Sequence, residues 1–285
     1  MAISIPDLEQ RAALGWRAPE EDRLGDWLLR AADGFTGRAN SALAAGGPGR
    51  PLERAAVAVG DWYRARGLPA MIAVPHRAGR PQEAPVSRFL AERGWSVRSG
   101  AATVMTAPAA QIARVTGRVP DAPAGTRVAV DPGPDEAWLG LYHYRGQAGL
   151  PPVARHILTS APWQAFASIR AAGRTIAIGR VAVAAGWAGL TAIEVAPEHR
   201  CRGLATVITA ALAARAITHG ARHLYLQVED GNEAARALYR RLGFTAHHGY
   251  HYRVAPDGAA GSRLSRLWGA DAGGHRAPTR VKETS

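Results

Sequence analysis

With 285 residues the chain exceeds the roughly 100–200 of one ordinary domain. Its 47% hydrophobic and 20% charged content can bury real cores, which predicts two folded units and excludes a disordered chain. One cysteine excludes an intrachain disulfide and a cysteine-based zinc cluster, and a net charge of +12 comes from arginines scattered among acids with no basic arm, so no nucleic-acid partner is expected.

The opening residues, MAISIPDLEQR, lack the basic segment and apolar stretch of a signal peptide, so a cytoplasmic protein is expected. Strands are predicted at Trp27–Ala32 and Arg38–Leu43, then a helix over Leu52–Arg66 closed by Gly67 and a strand at Ala70–Val74. A helix over Pro85–Arg93 closed by Gly94 and a strand at Val97–Met105 follow. Residues 109–126 contain Pro120 and Pro123 and no sustained periodicity, and read as a linker. Beyond it come two short helices, Pro134–Gly146 and Pro151–Ser160, and strands at Trp163–Arg170, Thr175–Ala184 and Trp187–Val195. The longest apolar run, Val181–Ile193, is interrupted by Gly186 and Gly189 and falls short of the ~20 residues of a membrane helix, so no membrane partner is expected.

Leu204, Val207, Ile208, Ala211 and Leu212 then mark one face of a helix that Gly220 ends. Leu224, Leu226 and Val228 alternate as a strand, Asn232 caps a helix running to Gly243, and Phe244–Val254 closes the order. This divides the chain into a smaller α/β domain at 1–108, a linker at 109–126, an α+β domain at 127–256 and a flexible tail at 257–285. The segments RGLPAMIAV…RFLAERGW and HGARHLYLQV…ALYRRLGF share a helix-ending glycine, a strand, an arginine-bearing helix end and an aromatic. The first domain therefore reads as a truncated, diverged copy of the second.

The segment VAPEHRCRGLA, Val195 to Ala205, joins a strand to the start of the long helix. Free backbone N–H groups at such a junction make an anion site, Gly203 removes a Cβ that would block a phosphate, and Arg200 and Arg202 add cationic forks. The chain has no Walker loop and no dinucleotide G-x-G-x-x-G at a strand-to-helix junction. The segment resembles the R-x-x-G-x-[GA] signature of the GNAT (GCN5-related) N-acetyltransferases. Asn232 to Phe244, NEAARALYRRLGF, is similar to the N-x-x-A-x-x-L-Y-x-x-x-G-F motif of that family. The two-part layout resembles an actinobacterial group in which a degenerate GNAT-like half precedes a catalytic domain.

The resemblance implies a GNAT fold, a mixed central sheet flanked by helices, and acetyl-CoA as cosubstrate. It implies that Arg200, Cys201, Arg202, Gly203, Leu204 and Ala205 hold the coenzyme pyrophosphate, that the strand ending at Val195 pairs with the pantetheine arm, and that Asn232 contacts the coenzyme. Tyr239 would then protonate the departing thiolate. Elementary chemistry agrees, since a phenol of pKa ~10 can hydrogen-bond to or protonate a thiolate leaving from a thioester under attack by an amine. Glu194 and Glu229 are acids placed to help deprotonate that amine; where several family members have a carboxylate this chain has Gln227, which leaves Glu194 or a water chain as base. The expected acceptor is a small-molecule or peptide amine, entering around Tyr142, His143, Tyr144 and Arg145.

The competing expectation is an acyl-CoA-binding sensor or scaffold without catalysis. His247, His248 and His251 are expected to be partly exposed or to line the acceptor pocket, and to bind no metal, because neighbours on a strand face opposite ways and only His247 and His251 could converge. The glycine-rich stretch from Gly46 to Pro51 in the first half loses two N–H donors to Pro48 and Pro51, so no second coenzyme site is expected there. Asn40 and Ser41, with Trp27, Trp62 and Tyr63, are read as packing or as one wall of the acceptor cleft. A monomer is favoured, the first domain covering the surface that single-domain relatives would use to pair.

Overall fold

The computed structural model describes residues 3–116, 123–143 and 149–256. In chain order the elements are α1 (Ile5–Leu14), β1 (Glu20–Leu24), β2 (Trp27–Ala31), β3 (Ala42–Leu43), α2 (Leu52–Arg64), β4 (Met71–Arg77), α3 (Pro85–Ala91), β5 (Ser96–Pro108) and α4 (Ala109–Thr116). Then come β6 (Thr126–Asp131), α5 (Glu136–Leu141), α6 (Pro152–Leu158), β7 (Trp163–Ala171), β8 (Arg174–Ala184), β9 (Trp187–Val195), α7 (Leu204–Thr218), β10 (His223–Glu229), α8 (Glu233–Arg241) and β11 (Thr245–Val254). The architecture is α+β, a mixed sheet flanked by helices.

All the strands join one sheet in the order β1-β2-β3-β4-β11-β5-β10-β9-β8-β7-β6. The centre of that order has an internal symmetry. β3 and β4 run parallel, as do β9 and β10; β4 is antiparallel to β11, as β10 is to β5. α2 and α7 bridge the two parallel pairs, and α3 and α8 follow β4 and β10. Each half thus has the same strand, helix, strand, helix, strand order, and each lends its last strand to the other, the two lent strands pairing at the middle. This topology supports an internal duplication. It also carries the sheet across residue 108, which lies in β5 opposite His223 of β10.

The segment read as a linker begins with α4, whose Ile112 is fully buried against α7 in the core beneath β5 to β9. Eight residues carry too few turns for periodicity to outweigh the prolines that follow. The tail at 257–285 lies outside the described residues. β1 and β6, which show no apolar alternation, are the two edges of the sheet, and their charged, exposed residues blunt those edges. α1 starts at Ser4, whose side chain accepts from the Asp7 amide at 3.2 Å. The strand expected at Arg38–Leu43 survives only as Ala42–Leu43, because residues 33–41 form a loop with left-handed φ at Asp33, Gly34 and Thr36.

Gly179 on β8 lets α7 lie close to the sheet, since a Cβ there would meet Leu212 at 2.9 Å and Ile208 closer still. Arg180, next to it, is fully buried and has no acid partner among the described residues: Nε donates to the Leu158 carbonyl at 2.6 Å and Nη2 to the Gly15 carbonyl at 3.0 Å. It ties α6, α1 and the sheet together.

His248 and His251 depart from expectation, being 0% and 4% exposed, because β11 lies inside the sheet rather than at its edge. A register shift between Ala246 and His248 brings adjacent rings together, with His247 Nδ1 2.8 Å from His248 Nδ1. His248 Nε2 meets Glu9 of α1 at 2.7 Å, and His251 Nε2 meets Ser87 of α3 at 2.8 Å. Among the described residues no cluster of three or more His, Cys, Asp or Glu could hold a metal ion.

Burial raises the pKa of Tyr225 and of Tyr239 to about 12, and raises those of Tyr63 and Tyr250 as well. An unfolded tyrosine loses its proton near pH ~10 while these buried ones keep theirs, so the unfolded state gains ground above that pH. Stability is expected to be intact below pH ~10 and to fall between there and pH ~12, by about 3 kcal/mol for each of Tyr225 and Tyr239. Urea midpoints measured at intervals from pH 8 to 11.5 check this; a flat profile would contradict it.

Candidate active site

β9 hands the chain to α7 through a short turn at Pro197–His199 and a loop at residues 200–203. Cys201 and Gly203 both have left-handed φ, at 60° and 77°. This turns successive amides of the loop toward one side, an arrangement that forms an anion-binding concavity. Among the described residues the N–H groups of Cys201, Arg202, Gly203, Leu204 and Ala205 find no protein acceptor. A Cβ built on Gly203 meets nothing within 4 Å, so the turn opens onto empty space. Arg200 folds back, Nε donating to the Val195 carbonyl at 3.2 Å, and Arg202 is exposed. The Leu204 side chain is buried, so only its amide faces the loop.

The equivalent loop of the first half is closed. The Gly47 amide donates to Asp26 Oδ2 at 2.9 Å, so the chain supplies its own anion there.

Just upstream, β9 and β10 part. Their parallel pairing runs from Trp187 and His223 to Leu190 and Leu226 and stops. A bulge in β9, with Ala192 at φ 53°, turns Thr191–Val195 away while β8 keeps its pairing to Val195. A wedge opens between Thr191–Val195 and Gln227–Glu229, with unpaired main chain along β9.

Tyr239 packs on one face of this wedge, in the same core cluster as Leu204, Leu226 and Val228 and edge-on to Phe244. α8 carries it there, started by Asn232, whose Oδ1 accepts from the Ala235 amide at 3.0 Å. The ring is 8% exposed, its hydroxyl has no hydrogen bond to the described protein, and that oxygen is not sealed from the surroundings. Burial alone pushes its pKa up to about 12. Glu194 points to the other face, where it accepts from the His143 amide at 2.9 Å and contacts His143 Nδ1 at 3.2 Å. It thereby anchors the end of α5; Tyr144 and Arg145 lie outside the described residues.

Gln227 faces the same side as Tyr225, away from Tyr239. Its Oε1 accepts from Arg38 Nη1 at 2.6 Å and from the Tyr250 hydroxyl at 3.5 Å. Arg38 comes from the first half, 189 residues away in sequence, and sequence reasoning passed over it within an expected strand. Its guanidinium lies 4.5 Å from the centre of the Trp16 ring, and that of Arg180 lies 5.4 Å from the same ring. A cavity of about 20 Å³, one water's worth of space, sits among Glu9, Trp16, Arg30, Arg38, Gln227 and Tyr250. Asn40, flagged from sequence, holds the loop bearing Arg38: Oδ1 accepts from Ala32 and Gly34 amides, and Nδ2 donates to the Phe35 and Thr36 carbonyls.

Among known proteins, the family described as Probable histone acetyltransferase Rv0428c C-terminal matches residues 3–253. The Probable histone acetyltransferase Rv0428c of Mycobacterium tuberculosis is 30% identical over 266 residues, which cover 90% of this chain and 76% of that protein. The Uncharacterized N-acetyltransferase YobR of Bacillus subtilis is 28% identical over 256 residues, covering 88% and 98%. A GCN5-related N-acetyltransferase from Kribbella flavida has the same fold, with a TM-score of 0.65 at 20% identity over 90% of this chain and 98% of that one. An open turn of unpaired amides, a wedge in the sheet and these likenesses converge: the chain belongs to the Rv0428c C-terminal family and is an acyltransferase with the GNAT fold.

Proposed function

We propose that the protein is an acetyl-CoA-dependent N-acetyltransferase in which an amine attacks the thioester directly, with residues 127–256 forming the catalytic part and 1–108 a non-catalytic partner. The observation that carries this reading is the coincidence of the open turn at Gly203 with the wedge between β9 and β10. The residues present fit the coenzyme: the amides of residues 201–205 suit a pyrophosphate, flanked by Arg200 and Arg202, and the unpaired main chain up to Val195 suits the amides of a pantetheine arm. Acetyl-CoA, when bound, supplies an activated acetyl group as a thioester.

The chain's own groups do the rest. Unpaired main-chain amides of Thr191–Val195 are the donors at hand for charge developing on the carbonyl oxygen. Tyr239 keeps its proton across the physiological range and offers it to the sulfur, as a hydrogen bond first because its pKa of about 12 exceeds the ~8.5 of a thiol. Glu194, already accepting from His143, takes the proton of the incoming ammonium directly or through water. Asn232 fixes the start of the helix that presents Tyr239.

The test is thiol release from acetyl-CoA across small amines, amino acids and lysine peptides, with the acetylated product identified by mass. Turnover on at least one amine is expected. Coenzyme binding without turnover on any of them would turn the reading toward a sensor, and absence of coenzyme binding would end it.

A further inference from the structure

Among the described residues no acid forms an ion pair with Arg38. Its hydrogen bond goes to the neutral oxygen of Gln227, and Glu9, the acid lining the same cavity, is engaged by His248 at 2.7 Å. Arg180 stands on the same tryptophan, fully buried and, among the described residues, bound by two carbonyl oxygens and the Thr191 hydroxyl at 3.4 Å. Thr191 and Gln227 are the first residues beyond the last paired rung of β9 and β10. Two guanidinium groups therefore hold the point where the wedge begins, on the face opposite Tyr239, and among the described residues neither is bonded to a carboxylate.

A buried arginine without a carboxylate is unfavourable unless other acceptors take up its donors, as two carbonyls do for Arg180, whereas Arg38 has the single bond to Gln227. Here the chain presents it deliberately. The loop at residues 33–41 adopts left-handed backbone at Asp33 and at the β-branched Thr36, and is fixed by Asn40 and by the Thr36 hydroxyl, which accepts from Trp16 Nε1 at 3.1 Å. The remaining guanidinium nitrogens make no hydrogen bond to the described protein and are not sealed in. A glutamate at position 227 would have neutralised the group; glutamine leaves its charge available.

We propose that Arg38 receives a carboxylate of the acceptor, so that the amine acetylated here carries a carboxylate close to it, as free amino acids do. The planar fork of a guanidinium matches two carboxylate oxygens, and the Arg38 nitrogens that make no hydrogen bond to the described protein are the donors such a group would meet. The inference rests on the N-acetyltransferase reading and names its substrate class. It also gives the first half of the chain a part in choosing the substrate.

The experiment compares kcat/KM for free amino acids and for their carboxamides, which keep the same amine, with acetyl-CoA at saturation. The acids are expected to be favoured by about 30-fold or more, and the preference to collapse to about threefold or less in Arg38→Gln. Gln227→Glu keeps the cation but gives it an internal partner, and is expected to erase the preference as well; the melting-temperature rise with coenzyme A shows that each variant is folded. A wild-type preference below threefold, a lysine peptide outrunning every free amino acid, or a preference that persists in both variants would overturn the proposal. If no amine is acetylated, the acetyltransferase reading fails, and thermal shifts with the same acid and amide pairs still decide whether Arg38 binds carboxylate. Equal shifts for acid and amide would overturn it.

Discussion

Replacing Tyr239 by phenylalanine is expected to lower kcat by about 10²- to 10³-fold, the range for deleting one donor aimed at charge that develops during reaction. The variant should fold, since the hydroxyl makes no hydrogen bond to the described residues and the ring remains packed against Phe244 in the core. The KM for acetyl-CoA should move little, because the site proposed for the coenzyme is made mainly of the main-chain amides of residues 201–205, away from this hydroxyl. With the phenol raised to about 12 by burial, deprotonation of Tyr239 should cause no fall in wild-type kcat below pH ~11. The variant's profile should then have the same shape at a lower level. Steady-state kinetics from pH 6 to 10.5 reads both effects, and a loss below about fivefold would remove Tyr239 from the chemistry.

Gly203→Val is the second large effect. The left-handed φ of 77° makes any side chain unfavourable there, by about 1–2 kcal/mol, enough to lower the melting temperature by a few degrees. Nothing in the free protein lies within 4 Å of the new Cβ, so the fold itself meets no clash. The valine would instead fill the space that the cradle offers to a ligand. Coenzyme A affinity is expected to fall by about 30- to 100-fold, far beyond what the loss of stability can produce. Calorimetric titration of wild type and variant measures it. Equal affinity in the two would mean that the turn opens onto solvent and not onto a binding site.

Both of these positions could be read from the chain because their signals are local. Gly203 follows a strand and precedes a run of apolar residues at helical spacing, and Tyr239 lies between an asparagine cap and a terminating glycine. α4, β1 and β6 escaped for the opposite reason, being short or lying at sheet edges where no apolar face is needed. His248 and His251 are buried where the sequence alone suggests partial exposure, because a polar residue on a strand does not say whether that strand lies inside the sheet. Its true neighbours, β4 and β5, lie far upstream, and nothing in residues 245–254 names them. Arg38 is the extreme case, since its environment is assembled from Trp16, Gln227 and Tyr250, and its own neighbours in sequence hold no trace of them.

The exchange of strands between the halves has a consequence for how the chain is made. Residues 3–116 can be complete outside the ribosome and still lack the strand that belongs between β4 and β5, because that gap is filled by residues 245–254. Until those residues emerge, two facing rows of unsatisfied hydrogen-bonding groups stay open, an invitation to wrong partners. Assembly must therefore wait until residues 245–254 have emerged rather than proceed one half at a time, and closure, governed by contacts between distant parts of the chain, is intrinsically slow.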